Sequence, residues 1–422
     1  MKINDLLGKN IAIFGFGVEG HSLCDYLSRK GIGEVRIYDE NKSSIDSDEV
    51  RFISGKFEDQ DLSAIDVAFH SPGVKTNRLK KILPKHTKIT TLTNFFFANH
   101  LGKIIAVTGT KGKSTTSTLI GSILIEAGFK TFIGGNIGKS LLDFIDQTTD
   151  DSYSVIELSS FQLQDIEYGP DIAVILPIFI DHLDYHKDEE EYHSAKSKIV
   201  EHMKDGLVIY SPDDTTRKII SSYTGKKVEI ETSIFPDLEK MSIKLKTPQV
   251  NLAAALTLAR ELDIKPDLRN LSEKFIKPQF RIEPVGAAYG KFFYNDSAST
   301  NPISTIAAMG VMEGKYALIL GGSSKNLKYN ILAEKIKNDQ RIAKVFLIGE
   351  TGGEIADELA NADASVEIKK TGNLQNTFDE IAKDKDSYSS VLFSPSSASF
   401  DQFKNYRDRG EVFTRFVQSV DK

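Results

Sequence analysis

The 422-residue chain has few of the features that mark secreted, zinc-binding or membrane-spanning proteins. Its single cysteine, Cys24, cannot close an intrachain disulfide, and no cysteine and histidine cluster has zinc-finger spacing. The longest apolar segment, IAVILPIFI, is interrupted by Pro177 and falls far short of the roughly 20 residues of a membrane span. The sequence therefore predicts a cytoplasmic protein that has no membrane segment.

The chain also lacks an excess of basic residues. Lysine and arginine number 53 against 59 aspartate and glutamate residues, which gives a formal net charge of -6. Proteins that bind the phosphate backbone of nucleic acids show the opposite imbalance, so no nucleic-acid partner is expected. With 40% hydrophobic and 27% charged residues, the composition is that of a globular protein. The length predicts two to four domains at roughly 100 to 200 residues each.

What recurs along the chain is a short apolar strand followed by a helical pattern, as after KNIAIFGFG, KIIAVTG and KYALILGG. This alternation is typical of α/β domains with parallel, doubly wound sheets. This alternation of strand and helix begins again at Lys103 and near Phe292. We therefore expect a Rossmann-like domain over residues 1–95, a central parallel-sheet domain of P-loop ATPase type over 96–277, and a second Rossmann-like domain over 278–422. Ligands of such sheets bind beyond the carboxyl ends of the strands.

The first candidate site is the glycine-rich turn after the first strand. Residues 15–20 read GFGVEG and Asp39 ends the next strand, which matches the G-x-G-x-x-G dinucleotide fingerprint with its acidic residue. Glycines let the backbone approach a phosphate, and the helix N-terminus attracts the anion. The turn SPGV at 71–74 could close over the ligand. An NAD-dependent oxidoreductase and a tight turn without ligand are the alternatives.

The second candidate site is a longer glycine loop. Residues 103–116 read KIIAVTGTKGKSTT and place two glycines between a strand and an amphipathic helix. Backbone amides would hold phosphates, Lys113 would neutralise the β- and γ-phosphates, and the hydroxyl of Ser114 could bind Mg²⁺. The strict P-loop pattern needs glycine where this chain has Val107. We interpret the segment as a shorter variant of an ATP-binding loop.

Two segments that end strands of the same domain carry candidate metal ligands. Glu157 closes the strand YSVIELSS, where a carboxylate can face the phosphates and bind Mg²⁺. Residues 181–186 (DHLDYH) precede a helical pattern that contains Lys196. His182 and His186 are spaced like a zinc pair, but they follow a strand and no HExxH motif is present. One histidine on magnesium and a structural His186 are therefore favoured over zinc.

Three strand ends in the last third of the chain carry polar groups: NDS at 295–297, GGSSK at 321–325 and SPSSAS at 394–399. Together they bring a carboxylate, a lysine and several hydroxyls towards one sheet edge. Such a set favours a site for a small anionic amino acid, although ordinary turns have the same composition.

Five segments together resemble the Mur ligases, which are ATP-dependent amide-bond-forming enzymes of peptidoglycan precursor synthesis. They are TGTKGKS, ELSSFQL, DHLD, AKSKI and SPSSASFDQF. The resemblance extends from about Gly15 to Arg409, and the segments SSFQL and SSASFDQFKNYRDRG favour the member that adds D-glutamate to UDP-N-acetylmuramoyl-L-alanine. Because the ATP loop is shared more widely, a sister Mur ligase and a folylpolyglutamate synthase are alternatives. A regulator that binds nucleotide without hydrolysing it is the non-enzymatic alternative.

The resemblance implies a role for each domain: the first would bind the UDP-sugar, the second ATP, and the third the incoming amino acid. The residues implied to hold the UDP-substrate are Gly15, Phe16, Gly17, Val18, Asp39, Ser71, Pro72, Gly73 and Asn136. The residues implied to contact ATP are Gly109, Thr110, Lys111, Gly112, Lys113, Ser114, Thr115, Asn251, Arg281 and Asp296. The residues implied to bind D-glutamate are Thr300, Lys325, Ser399 and Tyr406.

The catalytic residues that the resemblance implies are Lys113, Glu157, His182 and Lys196. Two Mg²⁺ ions are expected on Ser114, Glu157, His182 and Lys196, the last as a carbamate formed with CO2. That modification turns a cation into an oxygen anion, the kind of ligand that Mg²⁺ prefers. ATP would phosphorylate the L-alanyl carboxylate, and the amine of D-glutamate would attack the acyl phosphate. The expected partners are these small molecules, and the expected state is a monomer.

Three departures from the family pattern stand out. Residues 296–301 read DSASTN where the family has DSKATN, so its lysine is Ala298 here. Tyr406 stands where phenylalanine is usual, and 247–248 read TP where His-Asn is common, which leaves Asn251 as the polar contact of that segment. The missing lysine removes a positive charge expected near the phosphates or the incoming carboxylate.

Overall fold

The computed structural model describes residues 1–40, 50–137, 139–179, 181, 185–275, 277–325, 327–384 and 388–420. They form three sheets, and their contacts divide the chain into two compact units. The first unit comprises Met1–Glu231 and Ala253–Asp267, and the second comprises Thr232–Leu252 and Leu268–Lys422. The α/β class with parallel sheets is confirmed, while the domain boundaries near 95 and 277 stay predictions.

The first sheet has five parallel strands in the order β3-β2-β1-β4-β5. Its strands are β1 (Ile11–Phe14), β2 (Val35–Asp39), β3 (Val50–Ser54), β4 (Val67–His70) and β5 (Lys88–Thr91). The helices that follow are α1 (Val18–Arg29), α2 (Thr76–Ile82) and α3 (Leu92–Asn99). The strand order reverses between β1 and β4, and ligands of doubly wound sheets bind at such a switch point. The turns at 15–20 and 71–74 therefore lie where a ligand is expected.

The second sheet has six parallel strands in the order β11-β10-β9-β6-β8-β7. Its strands are β6 (Lys103–Thr108), β7 (Thr131–Gly135), β8 (Tyr153–Glu157), β9 (Ile172–Ile175), β10 (Leu207–Tyr210) and β11 (Lys226–Glu229). Its helices are α4 (Lys113–Glu126), α5 (Ser160–Leu163), α6 (Glu189–Glu201) and α7 (Asp214–Ile219). Because β6 lies between β8 and β9, the loops after these three strands share one edge.

The third sheet belongs to the second unit and has the order β12-β13-β17-β14-β15-β16. Between the sheets along the chain come α8 (Leu238–Lys244), α9 (Gln249–Glu261) and α10 (Leu268–Lys274). The strands are β12 (Glu283–Ala288), β13 (Lys291–Asn295), β14 (Tyr316–Gly321), β15 (Ile342–Ile348), β16 (Glu367–Gly372) and β17 (Ser390–Phe393). The helices are α11 (Pro302–Met309), α12 (Asn330–Asn338), α13 (Gly352–Asn361), α14 (Leu374–Lys383) and α15 (Tyr406–Val420). Among the described strands of this sheet, β12 pairs antiparallel with β13 in a hairpin, and the other pairs are parallel.

Buried strands with two apolar faces account for this architecture. In β14, Tyr316, Leu318 and Leu320 pack into one core cluster, while Ala317 and Ile319 pack into the other. This period of two is what a strand covered on both faces by helices requires. Among the described residues of the first unit, one apolar cluster includes strands of both sheets, and another packs on strands of the first sheet alone. No helix within the described ranges is long and apolar enough to cross a membrane.

Several helices begin at a residue whose side chain accepts a hydrogen bond from the first turn. Thr91 caps α3, Asp188 caps α6, Asn373 caps α14 and Asn301 caps α11. In α11 Pro302 follows the cap, at a position where its missing N–H costs nothing. Each such cap contributes about 1 kcal/mol and fixes where the helix, and the loop before it, begins.

Candidate active site

The glycine loop between β6 and α4 forms as the sequence predicts. Gly112 caps α4 in the left-handed conformation, with φ of 88°. Gly109 also has a positive φ, 148°, and a Cβ there would come within 2.6 Å of the Leu176 Cβ. The ammonium group of Lys113 donates to the carbonyls of Gly109 and Thr110, at 3.1 Å each. The loop therefore curls around its own lysine at a helix N-terminus, which is an arrangement that binds phosphate.

Glu157 connects this loop to the neighbouring strand. Since Val107 of β6 pairs with Glu157 of β8, the carboxylate stands at the same sheet edge as the loop. Its Oε2 accepts from the Ser114 hydroxyl at 2.6 Å, and its Oε1 accepts from the Asn136 amide at 3.0 Å. The side chain is buried. Asn136, which the resemblance implied for the UDP-substrate, thus lies against the predicted magnesium ligand Glu157.

Lys196 of α6 also contacts this loop. Its ammonium group is buried and donates to the Gly109 carbonyl at 3.0 Å and to the Thr108 hydroxyl at 3.4 Å. It also lies 4.9 Å from the centre of the Tyr192 ring. Burial, together with the charge of Lys113, holds the pKa of Lys196 well below its usual range. Burial therefore shifts the protonation equilibrium of Lys196 towards the uncharged amine.

Two described residues after β9, Phe179 and Asp181, contact the loop at Thr110 and Lys111. The Thr110 hydroxyl accepts from the Phe179 amide at 3.0 Å, and the ammonium group of Lys111 pairs with Asp181 at 3.1 Å. His182 lies outside the described residues. Within those residues no group of three or more histidine, cysteine, aspartate or glutamate side chains is arranged to hold a metal ion.

His186 has the structural role that the sequence favoured. Its Nε2 is 3.0 Å from the Ser160 hydroxyl, and its ring stacks on Phe161 with 5.6 Å between centroids. The ring is buried among aromatic side chains. These contacts fix the start of α5 directly after the strand that ends at Glu157.

The two loops at the switch point of the first sheet contact each other closely. Gly15 has φ of 87°, and a Cβ there would collide with the Ser71 hydroxyl. The Phe16 amide donates to the Asp39 carboxylate at 2.6 Å, so the acidic residue of the fingerprint supports the glycine loop in this structure. The Pro72 carbonyl accepts from the Tyr185 hydroxyl at 3.0 Å. Gly17 caps α1, Val18 is its first residue, and Gly73 follows Pro72 in the second loop. The structure thus brings the predicted UDP-substrate residues of these two loops together.

In the second unit, Asp296 follows β13 and is buried. Its carboxylate accepts from the Ser394 hydroxyl at 2.7 Å and from the Ile282 amide at 3.2 Å. Burial raises the pKa of Asp296 to about 6. Arg281 donates to the Ala298 carbonyl at 3.3 Å, so a guanidinium lies beside the backbone of the position that lacks the family's lysine. Asn251 is buried in the first turn of α9.

Arg409 is the residue that the sequence reasoning missed. Its guanidinium is fully buried and donates to the carbonyls of Ser297, Ser397 and Ala398 and to the Ser297 hydroxyl, at 2.8 to 3.1 Å. Burial lowers the pKa of Arg409 to about 9, which still leaves it charged at neutral pH. The only signal in the sequence was its place in the segment SSASFDQFKNYRDRG, which gave it no role.

This arginine holds the serine-rich loop against the strand end at Asp296. Of the four predicted D-glutamate residues, Tyr406 belongs to the same network, since its carbonyl accepts from the Ser297 hydroxyl at 2.8 Å, and Ser399 is buried. The other two, Thr300 and Lys325, are half-buried and exposed respectively. The loop and strand ends are therefore joined by hydrogen bonds around a buried positive charge.

Comparison with known proteins identifies the relatives of this chain. Residues 107–254 match the model of the Mur ligase middle domain. The chain is 30% identical to the UDP-N-acetylmuramoylalanine–D-glutamate ligase of Acetivibrio thermocellus, over 100% of this chain and 99% of the relative. It is 31% identical to the ligase of the same name from Thermoanaerobacter sp. strain X514, over 99% of both chains.

A solved structure shows the same fold. The MurF ligase of Thermotoga maritima in complex with ADP aligns with a TM-score of 0.58 at 16% identity, covering 99% of this chain and 96% of that one. The fold is thus shared well beyond the sequence similarity, while the end-to-end identity of about 30% is with ligases of one name. The chain therefore belongs to the Mur ligase family, among its UDP-N-acetylmuramoylalanine–D-glutamate ligases.

Proposed function

We propose that this chain joins D-glutamate to UDP-N-acetylmuramoyl-L-alanine at the expense of ATP, in the synthesis of peptidoglycan precursors. The observation that carries this proposal is the similarity to D-glutamate ligases over the whole chain. The glycine loop with Lys113, Ser114 and Glu157 supports the ATP half of the reaction. The loops at 15–20 and 71–74, at the switch point of the first sheet, support a diphosphate-bearing substrate there.

The reaction would proceed in two steps. The L-alanyl carboxylate attacks the γ-phosphorus of ATP, the bond from that phosphorus to the bridging oxygen of ADP breaks, and an acyl phosphate and ADP are formed. The amine of D-glutamate then attacks the acyl carbon, and the tetrahedral intermediate collapses to the amide as phosphate and a proton leave. Phosphoryl transfer needs positioning and charge neutralisation more than covalent help. Lys113, at a helix N-terminus and within the glycine loop, would supply both.

The oxygen atoms beside the loop suit magnesium. A hydroxyl and a carboxylate already meet at 2.6 Å between Ser114 and Glu157, and both are ligand types that Mg²⁺ takes. Ser114, Glu157 and a carbamate on Lys196 would hold the metal, with His182 as a further ligand by resemblance. When bound, Mg²⁺ neutralises the charge that develops on the phosphoryl oxygens. Two ions, as the resemblance implies, are part of this proposal.

The carbamate follows from the state of Lys196. An uncharged amine has a free electron pair, which forms a bond to the carbon of CO2 while one C=O π bond becomes the C–O⁻ of the carbamate. The amine proton leaves to solvent. Since burial favours the uncharged amine of Lys196, the residue is primed for this reaction.

Chemical rescue tests the carbamate. We expect Lys196→Ala to lose most of its activity, by about 100-fold or more, because an anion needed for charge placement is gone. Acetate or formate should restore part of that activity by placing a carboxylate in the vacated space. Lys113→Ala is the matched control, since a carboxylate cannot replace a lost cation. Rescue of neither variant, or of both alike, would contradict the carbamate.

The function itself is tested by phosphate release from Mg-ATP with UDP-N-acetylmuramoyl-L-alanine present. D-Glutamate should be required, and L-glutamate, L-alanine or meso-diaminopimelate should not replace it. Release that depends on one of the other amino acids would make the chain a sister ligase. No release with any of them would overturn the proposal. The monomeric state, the cytoplasmic location, the domain boundaries and the residue sets for each substrate stay predictions.

A further inference from the structure

The turn that carries Arg281 has a strained backbone on both sides of that residue. Its neighbours Phe280 and Ile282 both lie in the left-handed region, with φ of 60° and 49°. A bulky or β-branched residue seldom adopts this conformation, and it persists there only where the surrounding structure holds it. The contacts that hold the two neighbours therefore decide where the Arg281 side chain is placed.

Packing and two hydrogen bonds hold the Phe280 side of the turn. The Phe280 carbonyl accepts from the Ala298 amide at 3.1 Å, and its amide donates to the Glu283 carboxylate at 2.8 Å. The ring is buried against α15, so close that a Cβ on Gly410 would come within 2.3 Å of it. This side of the turn is thus fixed by the glycine that leaves room for the ring.

Lys277 and Asp296 hold the Ile282 side through its two backbone groups. The Ile282 amide donates to the Asp296 carboxylate at 3.2 Å, and the Ile282 carbonyl accepts from the ammonium group of Lys277 at 3.2 Å. The same ammonium group donates to the Lys246 carbonyl at 2.7 Å. Lys246 is itself left-handed, with φ of 47°. Lys277 therefore ties together two strained positions that belong to separate segments of the chain.

This tether does not depend on the charge of Lys277. Burial lowers the pKa of Lys277 to about 7, and the nearby charge of Asp296 acts in the opposite direction. A charged ammonium group has three N–H donors and an uncharged amine keeps two of them. Both forms can therefore donate to the carbonyls of Lys246 and Ile282.

Arg281 is left partly exposed by this arrangement. Among the described residues its guanidinium donates to one acceptor, the Ala298 carbonyl, at 3.3 Å. A guanidinium has five N–H donors in a planar fork that suits phosphate oxygens, so most of them remain for a ligand. Because residue 298 is alanine and not the family's lysine, the placement of this arginine matters more here.

We propose that Lys277 is a positioning residue for the ATP site: it ties Ile282 to Lys246 and so holds Arg281 where its guanidinium contacts ATP. The inference rests on the proposed function, because it takes ATP as the ligand of Arg281. It adds a residue that belongs to none of the segments that carry the family resemblance. Since Lys277 acts through Arg281, it contributes to nucleotide affinity only while the arginine is present.

A double-mutant cycle on nucleotide binding tests this inference. Calorimetric titration of the full-length protein with the Mg²⁺ complex of β,γ-imido-ATP, which is not hydrolysed, needs no other substrate and no turnover. We expect Arg281→Met to raise Kd by about 10-fold or more and Lys277→Met by about fivefold or more, because a charged hydrogen bond is lost or misplaced. The double variant should bind as weakly as Arg281→Met alone, since the two residues act in series.

Conservative and distant variants separate this role from a general loss of structure. Lys277→Arg keeps donors for both carbonyls and should bind the nucleotide within about threefold of wild type. Lys337→Met makes the same change as Lys277→Met at an exposed site of α12 and should keep the wild-type Kd. UDP-N-acetylmuramoyl-L-alanine should bind Lys277→Met as it binds wild type.

Two outcomes would overturn the inference. One is a double variant whose Kd increase equals the product of the two single increases, because the residues would then act independently. The other is a Lys277→Met protein that binds both ligands more weakly than wild type, which would make the effect a general one. Nucleotide binding that follows the cycle in a protein that does not join D-glutamate would overturn the proposed function alone.

Discussion

Lys196 and Arg409 are both buried cations, one in each compact unit, and they are held in opposite ways. Lys196 donates to one carbonyl and one hydroxyl, the latter at 3.4 Å, and Lys113 adds an unfavourable charge. Arg409 donates from all three guanidinium nitrogens to carbonyls and a hydroxyl. Burial lowers the pKa of both groups, that of Lys196 well below its usual range and that of Arg409 to about 9, which leaves Arg409 charged at neutral pH.

The comparison shows that burial alone does not decide what a cation does. A buried charge is costly unless hydrogen bonds replace its water. Where they do, as around Arg409, the side chain stays charged and fixes the backbone that surrounds it. Where they do not, as around Lys196, burial favours the uncharged amine, which is the form that can act as a nucleophile. A lysine with a poorly satisfied amine suits a reactive site, and an arginine with a planar fork of donors suits a structural one.

The largest expected effect comes from removing Lys113, which donates to the same Gly109 carbonyl as Lys196. Lys113→Ala takes away the charge that we propose to face the phosphates, together with the two hydrogen bonds to the Gly109 and Thr110 carbonyls. We expect turnover to fall by about 100-fold to 1,000-fold or more, with the fold intact. Phosphate release measures the effect. Lys103→Ala, at the exposed start of the same strand, should keep wild-type turnover, and near-normal activity of Lys113→Ala would disprove the ATP site.

Removing Arg409 should act on stability. Arg409→Met leaves several carbonyls without donors in a buried site, and we expect the free energy of unfolding to fall by about 3 to 5 kcal/mol. Urea denaturation measures it. The neighbouring Arg407 is exposed, so Arg407→Met should change the same quantity by less than about 0.5 kcal/mol. Equal losses in the two variants would mean that the buried guanidinium is not the fixed support that the geometry indicates.

The sequence could predict the local motifs of the candidate site, but it could not predict the contacts that depend on the order of strands in a sheet. The loop at 109–114 is local, so its glycines, lysine and serine could be recognised from their spacing alone. Glu157 could be placed beside it because the carboxyl ends of parallel strands share an edge. The contact of Asn136 with Glu157 depends on β7 lying next to β8, and sheet order cannot be inferred from the order of strands along the chain.

Contacts over long distances in the chain leave no pattern in the sequence. Arg409 bonds to Ser297, 112 positions earlier, and Gln162 bonds to Glu19, 143 positions earlier. Neither pair has a periodicity or a motif that would reveal it. Asp39 does belong to a motif, the nucleotide fingerprint, but the motif did not indicate that its carboxylate accepts from the Phe16 amide. Residues that hold a site together are therefore harder to predict than residues that belong to a motif.

Replacing Lys196 by a residue of similar size should raise the free energy of unfolding, by less than Arg409→Met lowers it. A lysine whose folded pKa lies below its unfolded value of about 10.4 gives up a proton on folding, so stability is lost as pH falls below about 10. Lys196→Met removes this cost and keeps the apolar stem. We expect its free energy of unfolding at neutral pH to exceed that of wild type by about 1 to 2 kcal/mol.

The measurement is urea denaturation across pH in buffer freed of CO2, so that no carbamate contributes. Wild type should gain stability as pH rises from neutral towards about 10, and Lys196→Met should lack that slope. Lys187, which is 86% exposed, provides the control, since Lys187→Met should keep the wild-type slope. A loss of stability in Lys196→Met would mean that its two hydrogen bonds compensate burial after all, and the contrast with Arg409 would then lie in the number of donors rather than in the charge.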